Sequence, residues 1–325
     1  MLYVRSRVSL RRTFWAARTF AYHAARNAIA RASPRAFSAL QRLTRDSGRG
    51  DECAGVAAAE YFEAVVADYG VIAEASGVLP RGGLFSGKRI LELGPGDTRA
   101  VALLARIEGA SSWEGYDAFD IQSRDARYLE AIYGPLLGRR GGGAEERAWL
   151  DGCKMHTSPE SLRGGGRRFD VVLSRAVLEH VRDLRGLFRL VADVVEDDAV
   201  LVHKIDLRSQ GVEHRHALDF LRFGDRAWRA MSSHVDLPNR ERVSAYLELA
   251  EGVGLSTAWA KTTHLIEASE AARVADELAL RFREVAPDEL RVLGLWLVQV
   301  GPRHPLARRP LGPPAPAPHA RLSRY

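Results

Sequence analysis

A glycine-rich turn is the first feature of the sequence that could bind a ligand. The stretch RILELGPGDTRAV runs from Arg89 to Val101, and Gly94 and Gly96 lie where a strand pattern gives way to a helix pattern. Glycine lets the backbone approach a ligand closely and adopt a positive φ. A dinucleotide-binding G-x-G-x-x-G loop has a third glycine for close helix–strand packing, but Arg99 stands at that position. The turn therefore predicts a nucleotide-like ligand that is not a pyrophosphate.

Two carboxylates narrow the chemistry of that ligand. Glu92 precedes the turn, where it would repel a phosphate and attract an amine or a sulfonium. Asp117 follows the next predicted strand, where an acid can accept hydrogen bonds from two ribose hydroxyls. Asp97 or Thr98 is expected to cap the helix after the turn, and the free amides of that helix would bind an anionic group. S-adenosylmethionine carries all three of these groups.

Strands and helices alternate through the middle of the chain, and the turn ends the first strand. This alternation predicts an α/β fold with a doubly wound, mostly parallel seven-stranded sheet and helices on both faces. A loop is expected near residue 141, in RRGGGAEER. Strands are predicted at 88–93, 112–119, 168–174, 199–207, 255–265 and 290–300, and helices at 56–76, 98–108, about 123–133, 184–195 with Asp183 as N-cap, and about 267–280.

Three segments resemble class I S-adenosylmethionine-dependent methyltransferases. LELGPGDT with Asp117 is similar to the first two motifs of that family, and FDVVLSRAVLEHVRD (169–183) resembles the fourth strand and the turn after it. AVLVHKIDLRSQG resembles the fifth strand. The resemblance covers about 85–265 and the strand near 290–300. It implies a Rossmann-like methyltransferase fold and S-adenosylmethionine as cofactor, in a bacterial branch that acts on small molecules or glycans.

The resemblance also implies where the cofactor would lie. The third strand must lie within 148–162, but its register is not fixed by the pattern. The implied cofactor contacts are Glu92, Gly94 and Gly96 around the methionine part, Asp97 after them, Asp117 on the ribose, Ala118 and Phe119 beside the adenine, and Ser174 and Arg175 facing the methyl-transfer centre.

A hydroxyl acceptor needs a base to take its proton. The candidate catalytic residues are His180 after the fourth strand, His203 within the fifth, and Asp206 at the carboxyl end of the fifth. Two alternatives stay open, because His180 could cap the turn and His203 could be a core histidine. No metal is expected, since H-R-H at 214–216 with a distant acid is a weak ligand signature.

Residues 208–250 interrupt the alternation and are predicted to form a mostly helical lid insertion over the pocket. His214, Arg222, Trp228 and Arg240 are the candidate substrate-binding residues. Arginines here would favour an acidic acceptor such as a carboxylate, a phosphate or a sugar acid. The alternative is a lid that packs its aromatic rings inward and leaves its arginines in water.

The main functional hypothesis is methyl transfer to oxygen of a small molecule or glycan precursor. The Asn-Pro-Pro-Tyr type of motif that accompanies amino-group methylation is replaced by SRAV after the fourth strand, and no cysteine lies where cytosine carbon methylation would need a nucleophile. The alternative is a non-catalytic module of the same fold that docks through its basic arm. The intact Glu92, Gly94, Gly96 and Asp117 favour the enzyme.

The positive charge of the chain is confined to its ends. Of the net charge of +6, residues 1–45 supply ten arginines and residues 301–325 supply five, so residues 46–300 carry 6 − 10 − 5 = −9. This distribution disfavours a nucleic-acid substrate. The predicted organisation is a basic amphipathic arm (1–50), the methyltransferase domain (51–302) and a disordered tail rich in proline and arginine (303–325).

The basic arm has a helical pattern and carries aromatic residues. Such a helix can lie on an anionic membrane, or it can pack on the body of the protein with its arginines in water. With two cysteines and no long apolar run, the chain is expected in the cytoplasm, with peripheral contact at the inner membrane surface through residues 1–45 as a further expectation. The oligomeric state is left open by the sequence.

Overall fold

A computed structural model describes residues 2–33, 56–80, 82–119, 121–164, 166, 168–234 and 237–307, with side chains described from residue 14 onward. The chain divides into two compact units. The helical unit comprises Met1–Gly50, Leu207–Arg242 and His264–Leu293, and the sheet unit comprises Asp51–Asp206, Val243–Thr263 and Gly294–Tyr325. The end of the predicted arm and the start of the predicted methyltransferase domain, residues 34–55, and the tail from 308 lie outside the described residues.

A seven-stranded sheet confirms the predicted α/β architecture, with the strand order β3-β2-β1-β4-β5-β7-β6. The pairings from β3 through β5 are parallel, and β7 runs antiparallel to β5. In register, Leu93 of β1 lies beside Tyr116 of β2 and Ser174 of β4, so these strands end at one edge. The strands are β1 Arg89–Leu93, β2 Ser112–Tyr116, β3 Lys154–His156, β4 Phe169–Arg175, β5 Val195–Asp206, β6 Ser256–Leu265 and β7 Val292–Val300.

Helices connect and cover the strands, as a parallel sheet requires. The central strands carry apolar side chains on both faces, and Ile90, Val171 and Val202 are fully buried in the main core. The helices are α1 Leu2–Ala32, α2 Val56–Ala75, α3 Ala100–Ile107, α4 Ala126–Arg140, α5 Ala144–Asp151, α6 Pro159–Arg163, α7 Leu184–Val194, α8 Asp225–Ser232, α9 Val243–Glu251, α10 Ala268–Ala272, α11 Leu280–Arg283 and α12 Pro287–Leu290.

Capping explains where some helices begin. The predicted N-cap Asp183 is confirmed, because its carboxylate accepts a hydrogen bond from Gly186 N at 2.9 Å. The loop predicted near 141 is shorter than expected, since α5 begins at Ala144 and Glu146 accepts from Gly143 N at 2.7 Å. The three glycines at 141–143 hid this capped helix from the sequence pattern.

The helical unit is more extended along the chain than the predicted insertion. Its core combines Trp15 of α1 with Phe220, Met231 and residues as far along as Leu293. Within 208–250 the regular structure is a 3-10 turn at Asp219–Arg222, then α8 and α9, of which α9 belongs to the sheet unit. The single helix predicted at about 267–280 is instead a series of short helical segments.

Candidate functional site

The glycine turn is fixed against the segment that follows β4. Gly94 and Gly96 have φ of 62° and 78°, the left-handed region that favours glycine. Gly94 N donates to Tyr116 O at 2.8 Å. A Cβ at Gly94 would lie 2.5 Å from Val177 Cγ2, so a side chain there would have to displace the segment after β4. The turn therefore needs glycine at 94 for both backbone conformation and packing.

Glu92 places a buried carboxylate just before the turn. Its Oε2 accepts a hydrogen bond from Trp113 Nε1 at 3.1 Å, which orients it from β2. Tyr69 of α2 lies close enough that burial first, and then the charge of Glu92, raises its pKa well above the usual value. The phenol thus stays neutral beside the acid. A buried carboxylate in this position suits a ligand with a positive centre.

Asp117 follows β2 directly at the same edge of the sheet. Its backbone N donates to His156 O of β3 at 3.0 Å, and its Oδ1 accepts from Phe119 N at 2.9 Å. These bonds hold the half-buried carboxylate in one orientation. Ala118 and Phe119 are exposed, and the Phe119 ring is 72% accessible. The ring is therefore available to a planar ligand group beside the acid.

The residues after Gly96 have different roles from those expected. Neither Asp97 nor Thr98 caps α3: the N-cap position is Arg99, and no side chain caps it. Asp97 Oδ2 instead accepts from Tyr128 OH at 2.8 Å. Thr98 Oγ1 is buried and has no hydrogen-bond partner among the described residues.

Arg99 acts as a structural tie at the third glycine position. Its guanidinium donates to the carbonyls of Leu150 and Cys153 at 3.2 and 3.1 Å. It thereby fixes the segment that enters β3. The sequence suggested only that Arg99 excludes a pyrophosphate, whereas the structure shows why this residue is arginine.

The donor set of the turn fits S-adenosylmethionine. Glu92 matches a positive centre, Asp117 matches the ribose hydroxyls, and Thr98 Oγ1 has spare hydrogen-bonding capacity. The glycines allow close backbone approach.

Ser174, which was expected to face the methyl-transfer centre, has a fully buried side chain, and its Oγ lies 2.7 Å from His203 Nδ1. Arg175 pairs with Asp68 of α2 at 3.1 Å and lies over the Trp296 ring at 5.7 Å. The next residue, Ala176, has a φ of 54°, unusual for a residue with a side chain. The turn after β4 is therefore tight and tied to α2.

His203 is a core histidine rather than a general base. It is buried within β5, and burial lowers its pKa to about 3. Its ring lines a small apolar cavity with Leu93, Leu178 and Phe188, and its Nε2 has no hydrogen-bond partner among the described residues. A base must reach the proton that it takes, and burial of this imidazole favours the core-histidine alternative.

Glu179, His180 and Asp206 form an acidic cluster at the ends of β4 and β5. Glu179 Oε1 accepts from Asp206 N at 3.1 Å, and Oε2 is buried without a partner in the described part of the chain. Burial raises the pKa of Glu179 to about 7; the charge of His180 opposes the shift, and Asp206 adds to it. The sequence analysis missed Glu179, although the apolar residues around it in VLEHV could have indicated burial.

The arginines and the tryptophan expected to bind substrate have structural roles in the helical unit. Arg240 is buried; burial lowers its pKa to about 9, and it pairs with Asp225 at 2.8 Å. Its guanidinium stacks over Trp228 at 4.6 Å. Trp228 Nε1 donates to Pro238 O at 3.0 Å, and Arg222 pairs with Asp219 at 2.7 Å. The expected substrate contacts are therefore engaged within their own unit.

His214 is the most accessible of the four candidates. Its backbone N donates to Asp219 Oδ2 at 3.1 Å, and its ring stacks on Trp15 of α1 at 5.4 Å. In the described part of the chain, no three metal-binding side chains converge. No described helix is both long and apolar enough to cross a membrane.

Comparisons with known proteins identify the family. A family model described as a methyltransferase domain matches residues 59–256, more than half of the chain. No curated protein matches the sequence significantly.

Several solved structures are similar to this chain. An S-adenosylmethionine-dependent methyltransferase from Mesorhizobium loti has 19% identity over 70% of this chain and 95% of that one, with a TM-score of 0.40. The [4+2]-cyclase SpnF has 15% identity over 76% and 81%, with a TM-score of 0.41. SMU.776, solved with S-adenosylhomocysteine, has 11% identity over 70% and 47%, with a TM-score of 0.35.

Proposed function

We propose that this chain, which belongs to the family of S-adenosylmethionine-dependent methyltransferases, methylates a hydroxyl oxygen of a small molecule or glycan precursor. The observation that carries the proposal is the cluster of Glu179, His180 and Asp206 where β4 and β5 end. In an open α/β sheet, ligands bind outside the carboxyl ends of the strands. The cluster therefore lies on the side where an acceptor would meet the cofactor.

The cofactor, when bound, supplies a methyl group on a positively charged sulfur. Glu92 would hold that positive centre, and Asp117 would hold the ribose, with Phe119 against the adenine. Alignment of the acceptor with the methyl group supplies several kcal/mol of the rate enhancement, about 7–11 in well-oriented intramolecular reactions. These residues bind and orient, and none of them needs to form a covalent bond.

The proton of the acceptor hydroxyl would pass to His180 or Asp206. Glu179 positions Asp206 through the hydrogen bond to its backbone N. The pKa of Glu179, raised to about 7, means that its charge varies near neutral pH and modulates both neighbours. The proposal favours oxygen over nitrogen because a neutral hydroxyl needs a base, and this cluster offers one.

Two further observations support a small acceptor rather than a nucleic acid. Residues 46–300 carry a net charge of −9, by the subtraction given above. SRAV replaces the motif of amino-group methylation, and its Ala176 adopts a φ of 54° in a turn tied to α2 through Arg175. A negative body and this turn do not provide a basic track for a phosphate backbone.

Calorimetric titration with S-adenosylmethionine tests the cofactor site. Asp117→Ala should weaken binding at least tenfold, since an acid that accepts from two hydroxyls is lost. Asp151→Ala, at the exposed end of α5, is the matched control and should bind like the wild type. Equal affinities for wild type and Asp117→Ala would contradict the assignment of Asp117.

A panel of hydroxyl and amine acceptors, with S-adenosylhomocysteine release as readout, tests the reaction. His180→Gln and Asp206→Asn should each be compared with the wild type on the best acceptor. Loss of the base should lower kcat about 10²–10⁴-fold with little change in cofactor affinity. Transfer to amines alone, or full activity in both variants, would contradict the proposed oxygen methylation.

A further inference from the structure

Helix α1 is attached to the helical unit by one face. Trp15 is buried and packs on His214 and Phe223, with ring centroids 5.4 and 5.7 Å away. Asn27 Nδ2 donates to Ala230 O and Ser233 Oγ at 2.9 and 2.8 Å. These contacts fix the rotation of the helix about its axis, so the direction of its other face is determined.

The opposite face of α1 is apolar and exposed. Phe14, Tyr22 and Ile29 are 71%, 53% and 40% accessible. Their spacing of eight and seven residues is about two helical turns each, so they share one side of the helix. Four alanines continue this side and are also exposed: Ala17, Ala21, Ala25 and Ala28. An exposed apolar face of this kind marks an interaction surface.

The helix is also strongly basic. Residues 2–32 contain seven arginines and no lysine, aspartate or glutamate. Arg18 is exposed within the apolar face and Arg31 is exposed at the end of the helix, while Arg26 Nη1 donates to Tyr22 OH at 3.4 Å. Arginine stems can lie along an apolar surface while the guanidinium reaches a polar one.

We propose that this face of α1 docks on the surface of an anionic phospholipid bilayer. Phe14, Tyr22 and Ile29 would enter the boundary between headgroups and acyl chains, and the arginines would contact lipid phosphates. A second copy of the chain is a poorer occupant, because it would bring two acid-free arginine helices together. A nucleic acid is also poorer, because most of the exposed side chains of this face are apolar and cannot contact phosphates.

Co-sedimentation of the full-length chain with vesicles tests the proposal. The wild type should bind phosphatidylcholine vesicles that contain phosphatidylglycerol, and raising the salt concentration should weaken this binding. Pure phosphatidylcholine vesicles should bind it at least tenfold less. The triple variant Phe14→Ser, Tyr22→Ser, Ile29→Ser should lose at least tenfold of the binding to anionic vesicles.

Two controls separate docking from misfolding. Leu280→Ser removes a 76% exposed apolar side chain from another part of the helical unit and should bind vesicles like the wild type. The triple variant should keep its affinity for S-adenosylmethionine, which shows that it is folded. Equal binding of wild type and triple variant would overturn the proposal. A wild type that does not bind anionic vesicles would also overturn it. Self-association or nucleic-acid binding that the triple substitution abolishes would then identify a different occupant of this face.

Discussion

Replacement of Glu179 by glutamine should remove a pH-dependent loss of stability. Burial raises the pKa of this carboxyl from 4.5 to about 7. The folded state therefore binds the proton more tightly than the unfolded state, so this group destabilises the fold progressively as the pH rises from 4.5 through 7. A pKa shift of one unit corresponds to about 1.4 kcal/mol, so the raised pKa of Glu179 lowers the free energy of unfolding by about 3 kcal/mol at pH 8.

Glu179→Gln keeps an oxygen that can accept from Asp206 N and removes the ionisation. At pH 5 the variant should be more stable than the wild type by less than about 1 kcal/mol, and at pH 8 by up to about 3 kcal/mol. His203 acts in the opposite direction, since burial lowers its pKa from 6.5 to about 3 and its contribution is lost as the pH falls below 6.5. The wild-type profile alone mixes both groups, whereas the difference between wild type and variant isolates Glu179.

Urea unfolding of both proteins at pH 5 and pH 8 measures this difference. Glu251→Gln, at an exposed position in α9, is the control and should track the wild type at both values. A free-energy difference between wild type and Glu179→Gln that is the same at pH 5 and pH 8 would refute the reasoning, because it would mean that the Glu179 carboxyl has the same pKa in the folded and unfolded states.

Two other substitutions test the turn and the helical unit. Gly94→Ala should abolish cofactor binding, measured by calorimetry, because its Cβ would lie 2.5 Å from Val177 Cγ2. Gly77 has a φ of 72° but open space around it, so the control Gly77→Ala should retain binding. Equal loss of binding in both variants would assign the effect to backbone strain alone. Arg240→Ala should lower the free energy of unfolding by about 1–3 kcal/mol, since it removes the buried guanidinium that donates to the Phe223 carbonyl and pairs with Asp225. Asp225→Asn changes the more exposed partner and should lower the free energy of unfolding by less. If Arg240→Ala instead has unaltered stability and a raised KM, the substrate-binding role of Arg240 is restored.

The cofactor side of the site was predictable because it is local in sequence. Gly94, Gly96 and Glu92 lie within five residues, and Asp117 follows the adjacent strand. Parallel pairing brings the ends of neighbouring strands together whatever the exact register. An error of three residues in a strand boundary, as at the end of β2, therefore leaves the predicted site in place.

The rest of the site and the extent of the helical unit could not be predicted from the sequence, because they depend on contacts between distant segments. Glu179 is buried partly because β5 places the Asp206 backbone against it, and Arg99 is tied to carbonyls about fifty residues away. A helix-like or loop-like pattern carries no information about such partners. The prediction of the helical unit was incomplete for the same reason, since 264–293 joins it through contacts with segments that are distant in sequence.

The arginines change what the acceptor is expected to be. Arg99, Arg240 and Arg242 each donate to backbone carbonyls, and Arg222 pairs with two acids. A guanidinium has five donors, so it can replace missing backbone partners where the chain is irregular. The hypothesis of an acidic acceptor rested on the arginines of 208–250, and the contacts of Arg222, Arg240 and Arg242 weaken that basis. Under the proposed function the acceptor lies beside the cluster around Glu179, and a neutral hydroxyl compound suits that cluster better than an anion, because carboxylates repel negative charge.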